Sequence, residues 1–224
     1  IYLKKSNLSS NSKNNLLVSL IGIGNHSSRT LLPNLSKGGA VFDNLLANHG
    51  EPLVRLGKKF NFANVTTARE HFFKSNCSDS IIIATRHDTH ASFIKEALML
   101  GKNVYVEKPL CLNQNDLKDI KSLALRNKIL MVGYNRRFAP LIIKLKRIIK
   151  DFKSTKCFVY TCNAGYIPPD HWTQNIEIGG GRLLGECCHF VDLLRFLAES
   201  PIKSITKVEV DDADKISDSF SISI

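Results

Sequence analysis

Short apolar runs alternate with helical patterns over residues 16–132, and this alternation constrains the fold more than any other feature of the chain. The runs have the length and β-branched content of strands, and the intervening segments repeat apolar side chains at helical spacing. Parallel strands need a crossover of this kind, and the crossover is right-handed. The sequence therefore predicts an α/β fold, with a doubly wound parallel sheet over residues 16–136.

The individual elements follow from the same patterns. The predicted strands are Leu16–Ile21, Val41–Ala47, Ser80–Thr85, Lys102–Val106 and Ile129–Val132. The predicted helices are one with Leu31, Leu32 and Leu35 on its apolar face, and then Pro52–Lys59, Thr67–Lys74, Ala91–Leu100 and Leu112–Arg126.

The pattern changes after residue 136. Longer runs of strand-forming residues appear at Cys157–Ala164, Ser204–Val210 and Ser217–Ile224, and one helix lies between the first two. This arrangement predicts a second, smaller α+β domain over residues 137–224, with an open sheet. The last strand stops abruptly at Ile224, and residues 1–15 read as a linker that begins with Ile, so we expect a truncated sheet and a longer natural chain.

Composition excludes several classes of protein. The net charge is +11, but the basic residues are densest among the apolar residues of one predicted helix, from Leu141 to Lys153, which indicates a solvated helix face. Basic residues are not interleaved with aromatics, so we expect no nucleic-acid partner. No apolar run approaches the roughly 18 residues of a membrane span, and we expect no membrane partner. Six cysteines without Cys-x-x-Cys spacing predict no metal site and reduced thiols in a cytoplasm.

A glycine turn follows the first predicted strand and precedes a helix. Gly22 permits a tight turn and Gly24 permits the close approach of a phosphate, with Asn25 and His26 next in the chain. Ser27 occupies the place of a third glycine and is small enough for the helix to pack on the strand. A strand, glycine turn and helix in this order offer backbone amides to a pyrophosphate.

The residue expected to bind an adenosine ribose differs from the usual one. An acidic side chain about 20 residues after the glycines would bind the ribose of NAD, but Asn48 and His49 end the second predicted strand. They either contact the ribose or a 2′-phosphate, or are plain turn residues. Because no carboxylate would repel a 2′-phosphate here, the sequence favours NADP slightly over NAD.

A Glu-Lys-Pro sequence ends the strand Lys102–Val106. Pro109 removes a hydrogen-bond donor and stops the pairing, so Glu107 and Lys108 lie at the carboxyl end of the strand. Ligands bind at that end of a doubly wound sheet. The alternative is that this Lys-Pro pair only terminates a strand.

Five motifs in order resemble the Gfo/Idh/MocA oxidoreductase family. They are Gly22-x-Gly24-Asn25, the strand that ends before His90, Glu107-Lys108-Pro109, Gly133-Tyr134-Asn135-Arg136-Arg137-Phe138, and Gly179-Gly180-Gly181 with His189 eight residues later. The resemblance extends from Leu16 to Ile224. The sequence around Asp170-His171-Trp172 and from Gly181 to Asp192 is similar to that of one subgroup of the family. In this subgroup the module is fused behind a zinc-type alcohol dehydrogenase domain, and the proteins are associated with bacterial polysaccharide synthesis.

The resemblance implies a Rossmann domain, a second domain whose sheet covers the substrate or a partner subunit, and hydride transfer between NAD or NADP and a sugar or cyclitol. It implies that Lys108 lies beside the nicotinamide and that His189 is the acid or base on the reacting oxygen. The cofactor residues would be Gly22, Gly24, Asn25, His26, Asn48, Thr85, Arg86, His90, Glu107 and Lys108. The substrate residues would be Arg136, Asp170, His171 and Trp172. A homo-oligomer is compatible with it.

One departure from the family pattern leaves a second function open. Many members carry an Asp four residues after the last glycine, where this chain has Gly185, followed by Glu186. One residue rotates an α-helix by about 100°, so Glu186 need not replace that Asp. The chain is therefore either a dehydrogenase or a dinucleotide- and sugar-binding regulatory module.

Each residue from Arg136 onward that is proposed to act in catalysis or substrate binding also has an alternative, purely structural role. Asp170 and His171 either contact the substrate or belong to a turn formed by the Pro-Pro-Asp segment. Arg136 and Arg137 either bind a phosphate or uronate group or form ion pairs with acidic residues. His189 either carries the proton or is a histidine with only a structural role in its helix.

Overall fold

The computed structural model describes residues 16–124, 128–209 and 219–224. They belong to two compact units, of which the first ends at Gly133 and the second begins at Tyr134. The predicted linker at 1–15, the end of the predicted helix Leu112–Arg126, and parts of the predicted strands Ser204–Val210 and Ser217–Ile224 lie outside the described residues.

The first unit is built on a six-stranded parallel sheet in the order β3-β2-β1-β4-β5-β6. The chain winds in one direction from β1 to β3, and then in the other from β4 to β6, so the order reverses between β1 and β4. This confirms the predicted doubly wound α/β fold. The strands are β1 (Leu17–Ile21), β2 (Val41–Leu46), β3 (Asn64–Thr66), β4 (Ser80–Ile83), β5 (Asn103–Val106) and β6 (Leu130–Val132).

Helices connect these strands as crossovers. A π-helical turn, Ser27–Leu31, leads into α1 (Leu32–Lys37), and the others are α2 (Gly50–Lys59), α3 (Arg69–Lys74), α4 (His87–Met99) and α5 (Gln114–Ala124). Helix α4 begins four residues before the predicted Ala91, because its first turn is polar and carries no apolar period. Strand β3 was not predicted, since three residues are too few to display an alternating pattern.

Apolar side chains cover both faces of the sheet. Ile21, Ile83 and Phe72 belong to the cluster on one face, and Leu20 and Phe62 belong to the cluster on the other, all at most 1% exposed. A parallel sheet covered on both faces favours strands that are largely apolar rather than strictly alternating, although β2 also contains Asp43. This preference explains why the strands were visible in the sequence as largely apolar runs.

A buried carboxylate ties the loop before β4 to β2. Asp43 Oδ2 accepts hydrogen bonds from the backbone N–H groups of Cys77 (2.8 Å) and Ser78 (3.1 Å), and the residue is 2% exposed. Burial raises the pKa of Asp43, and the two backbone donors oppose this shift. The carboxylate therefore stabilises the loop but is itself costly to bury in its ionised form.

The second unit contains two helices and a small antiparallel sheet among its described residues. A 3₁₀ turn, Asn135–Phe138, precedes α6 (Pro140–Lys150), and a π-helical turn, Leu183–Cys187, precedes α7 (Cys188–Ala198). Strands β7 (Thr206–Glu209) and β8 (Phe220–Ser223) pair antiparallel.

The prediction of a strand at Cys157–Ala164 was wrong. The segment has strand-forming residues, but no described residue forms a β-ladder with it, and all of it except Phe158 is exposed. A strand is defined by its hydrogen-bonded neighbour, and composition alone cannot supply one. On the basic helix α6, Lys144 and Lys150 are exposed as expected and Lys146 is half-buried, yet Leu141 is also 78% exposed.

Within the described part of the chain, no helix has both the length and the apolar character needed to cross a bilayer.

We expect Asp43→Ala to lower the free energy of unfolding by roughly 1–3 kcal/mol, because two buried amides lose their acceptor. Asp43→Asn keeps an acceptor oxygen and removes the buried charge, so it should cost clearly less. Urea unfolding at pH 7 measures both changes. Equal losses for the two variants would contradict this account of Asp43.

Candidate active site

The residues predicted to bind a cofactor in the first unit follow four strands of one sheet. Gly22–His26 follow β1, Asn48 follows β2, Thr85 and Arg86 follow β4, and Glu107 and Lys108 follow β5. All these strands are parallel, so their carboxyl ends lie along the same edge. The reversal of strand order between β1 and β4 is where ligands bind in open α/β sheets.

The glycine turn after β1 lies against the end of β4. Gly22 has φ +102°, and a Cβ on it would lie 2.3 Å from the carbonyl oxygen of Ala84. A side chain is therefore excluded at Gly22 both by backbone conformation and by space. Ser27, in the place of a third glycine, is 1% exposed, so its small side chain lets the helix lie close to the sheet.

Gly24 has a different environment. A Cβ on Gly24 would meet no protein atom within 4 Å, so this side of the turn is open. The helix begins directly after it, and the N–H of Ser28 donates to the Gly24 carbonyl oxygen at 3.0 Å. An open glycine at a helix N-terminus fits the diphosphate of a dinucleotide, which needs close backbone approach and unpaired amides.

A carboxylate at the end of β5 joins two other side chains. Glu107 Oε1 lies 3.2 Å from His26 Nε2 and accepts a hydrogen bond from the Tyr105 hydroxyl at 2.8 Å. Burial raises the pKa of Tyr105, and the charge of Glu107 adds to the effect, so the phenol remains a donor. Tyr105 was not predicted from the sequence as a site residue. Its spacing of two residues from Glu107 could have indicated it, because that spacing places both side chains on one face of a strand.

The His90 ring is buried between two backbone carbonyl groups. The residue is fully buried, with Nδ1 2.7 Å from the carbonyl oxygen of Pro109 and Nε2 3.2 Å from that of Thr85. Burial lowers the pKa of His90. Its ring thus ties the end of β4 to the loop that carries Lys108, and the cofactor contact predicted for it stays a prediction.

The remaining cofactor candidates are at the same edge. Thr85 Oγ1 accepts a hydrogen bond from Thr89 Oγ1 at 2.6 Å, and Arg86 directly precedes α4. Asn48 and His49 are exposed between β2 and α2, and the first acidic residue after β2 is Glu51, already in α2. The ribose contact of Asn48 stays a prediction.

In the second unit, His189 lies in α7 beside an aromatic residue. Its ring contacts Tyr134 edge to face, with centroids 6.0 Å apart. Burial raises the pKa of Tyr134 to about 12. Arg137 forms a two-pronged ion pair with Asp192, which raises the pKa of Arg137, so the turn before α6 is tied to α7. Of the two roles considered for Arg137, the ion pair is thus observed.

The π-helical turn before α7 contains Gly185 and Glu186, the two residues at which the chain departs from the family pattern. Gly185 is buried, and Glu186 Oε2 accepts a hydrogen bond from Arg182 Nη1 at 3.0 Å. No feature of the sequence indicated a π-turn, and rotation per residue differs there from that of an α-helix. The carboxylate of Glu186 is therefore paired with Arg182.

The predicted substrate residues have protein contacts of their own. The Arg136 guanidinium lies 4.7 Å from the centroid of Phe190. The ring atom Nδ1 of His171 is 2.7 Å from Thr173 Oγ1, and the backbone N–H of His171 donates to Pro168 O at 3.0 Å. The ring centroids of His171 and Trp172 are 5.9 Å apart. Asp170 is exposed in this turn. The segment does form a turn, and the substrate contacts stay predictions.

No cluster of three or more His, Cys, Asp or Glu side chains that could hold a metal ion occurs in the described ranges. All six cysteines are free thiols.

Comparison with known proteins gives a family and a fold. Residues 16–134 match the model of the Gfo/Idh/MocA oxidoreductase family, NAD-binding Rossmann fold. Inositol 2-dehydrogenase of Rhizobium meliloti (strain 1021) is 30% identical over 128 residues, which cover 55% of this chain and 38% of that protein. The chain spans only 25–38% of the length of the first curated relatives it matches.

Two solved structures have the same fold at low sequence identity. Levoglucosan dehydrogenase in complex with NADH and levoglucosan has a TM-score of 0.73 and 21% identity, with 88% of this chain and 58% of that chain covered. The WlbA dehydrogenase from Chromobacterium violaceum, in complex with NADH and UDP-GlcNAcA, has a TM-score of 0.78 and 19% identity, with 93% and 63% covered. At these identities the likeness concerns the fold alone.

The two glycines of the turn should respond differently to alanine. Gly22→Ala forces a Cβ onto the Ala84 carbonyl in a strained conformation, so we expect a stability loss of roughly 1–3 kcal/mol or more. Gly24→Ala should keep its Tm, but its methyl group enters the space open to a diphosphate, and NADH affinity should fall about tenfold, or roughly 1.4 kcal/mol. Thermal unfolding and NADH fluorescence titration measure these effects. A Gly24→Ala variant that binds NADH normally would contradict the assignment of the turn.

Proposed function

Because this chain belongs to the Gfo/Idh/MocA family of oxidoreductases, we propose that it transfers a hydride between a nicotinamide cofactor and a hydroxyl or keto group of a sugar, sugar derivative or cyclitol. One observation carries the proposal: the open glycine turn after β1 and Lys108 after β5 occupy the same end of one parallel sheet. The matched inositol 2-dehydrogenase supports the substrate class.

The residues at this sheet edge would hold the two halves of the cofactor. Backbone amides after Gly24 would bind the diphosphate, and Asn48 would lie near the adenosine ribose. We expect Thr85, Arg86 and Glu107 to contact the other half. The bound cofactor gives or takes the hydride at its nicotinamide ring. The lack of a carboxylate between β2 and α2 favours NADP slightly, because nothing there repels a 2′-phosphate.

Two residues would carry the proton chemistry. Lys108 is a point charge that stabilises a developing alkoxide on the substrate. His189 accepts the hydroxyl proton during oxidation and returns it during reduction, since an imidazole exchanges protons near neutral pH. Arg136, Asp170, His171 and Trp172 remain the proposed substrate residues. A role in polysaccharide synthesis, a cytoplasmic location, fusion behind an alcohol dehydrogenase domain and homo-oligomerisation are further parts of the proposal.

A regulatory module that binds dinucleotide and sugar without turnover is the second candidate. It is favoured by the π-helical turn before α7, where a buried Gly185 stands in the place of a carboxylate and the next side chain, Glu186, pairs with Arg182. Assays with NAD, NADP and their reduced forms against free and nucleotide-linked sugars and inositols separate the two functions. Turnover supports the dehydrogenase, and sugar-dependent binding without turnover supports the module.

We expect Lys108→Ala and His189→Ala each to lower kcat roughly 10²- to 10⁴-fold, with a smaller effect on cofactor affinity. Because groups that act as a unit are not additive, the double variant should fall well short of the product. Glu186→Gln should be mild, since its carboxylate pairs with Arg182. Lys121→Ala is the matched control for Lys108, as an exposed lysine of α5. Steady-state kinetics with the best substrate measures all five. A kcat that is unchanged in Lys108→Ala or in His189→Ala would contradict that residue's role.

A further inference from the structure

The contact between His26 and Glu107 joins two separate segments of the sheet edge. His26 belongs to the helix that starts at the glycine turn after β1, and Glu107 follows β5. Their side chains meet at 3.2 Å, with the imidazole 41% exposed and the carboxylate 14% exposed. The Tyr105 hydroxyl donates to the same oxygen of Glu107 and thereby orients it.

The strand order tells which half of a dinucleotide this contact would meet. The order β2-β1-β4-β5 puts β4 between the two partners, so the contact passes over the carboxyl end of β4. A diphosphate on the glycine turn leaves one half of the ligand over β2 and the other over β4 and β5. Asn48 after β2 is on the adenosine side. The nicotinamide half would therefore extend to the side of His26 and Glu107.

We propose that His26, held by Glu107, is a positioning residue for the nicotinamide half of the cofactor. The inference rests on the proposed function and deepens it. Glu107 directly precedes Lys108, so an imidazole anchored on this carboxylate links the segment that holds the diphosphate to the segment that carries the proposed alkoxide stabiliser. The pair sets how the nicotinamide ribose approaches Lys108.

An ordinary surface ion pair would behave differently. Such pairs contribute little to stability, and their loss affects no particular part of a ligand. A positioning pair instead acts on one half of the cofactor only. A ligand that contains both halves and a fragment that contains one half therefore distinguish the two cases.

The experiment measures binding of NADH and of ADP, which lacks the nicotinamide half, to the unaltered protein and to variants by isothermal titration calorimetry. NADPH and 2′-phosphoadenosine diphosphate replace these probes if NADPH binds more tightly. His26→Ala should bind NADH about tenfold more weakly and ADP nearly as before. His26→Gln should recover NADH binding to within about threefold, because its amide N–H can donate to Glu107 from the same place.

A second variant tests the pair from its other side, and a third controls for the loss of a histidine. Glu107→Asp withdraws the carboxylate from His26 while keeping its charge, and it should also weaken NADH selectively. His71→Ala removes an exposed histidine of α3, beside the sheet's other half, and should change neither affinity.

Each outcome of the binding experiment either supports or overturns the positioning role of His26. Selective loss of NADH binding with rescue by His26→Gln supports the inference. Equal loss for NADH and ADP, or no loss in either His26→Ala or Glu107→Asp, overturns it and leaves the proposed function intact. An unaltered protein that binds no dinucleotide overturns both.

Discussion

The close approach of the glycine turn to the end of β4 is the constraint on which the site depends. The backbone of Gly22 lies where any side chain would collide with the Ala84 carbonyl, and its N–H donates to Leu46 O of β2 at 2.9 Å. The turn is therefore held by both neighbours of β1. The direction in which the following helix points its first amides is set by this backbone packing rather than by side chains.

Polar side chains then fix the loops along the same edge. His90 ties the end of β4 to Pro109, and Glu107 connects Tyr105 with His26. In the second unit, Arg137 and Asp192 do the same for the turn before α6 and for α7. Each tie joins segments that are distant in sequence, and each uses a buried or half-buried group that is satisfied by a protein partner. Proposed ligand-binding residues are thus presented on loops that the scaffold itself holds in place.

The parts predicted from the sequence are those governed by local rules. Largely apolar runs revealed the parallel strands because both faces of the sheet are buried. Chain order placed Gly22 and Lys108 just after their predicted strands, and Thr85 at the end of its own. The parts that were missed depend on tertiary contacts. Strand pairing for Cys157–Ala164 failed because no described segment pairs with it, and the π-turn at Gly185 has no compositional signal.

We propose that the carboxyl edge of the six-stranded sheet binds a nicotinamide dinucleotide through the glycine turn. Amide hydrogen exchange with and without NADH tests it most directly, because bound backbone N–H groups exchange more slowly. We expect slower exchange for the amides of residues 24–28 and 107–108, with no change at the amino-terminal edge around Asp43. Unchanged exchange at residues 24–28 under saturating NADH, or protection confined to other segments, would contradict it.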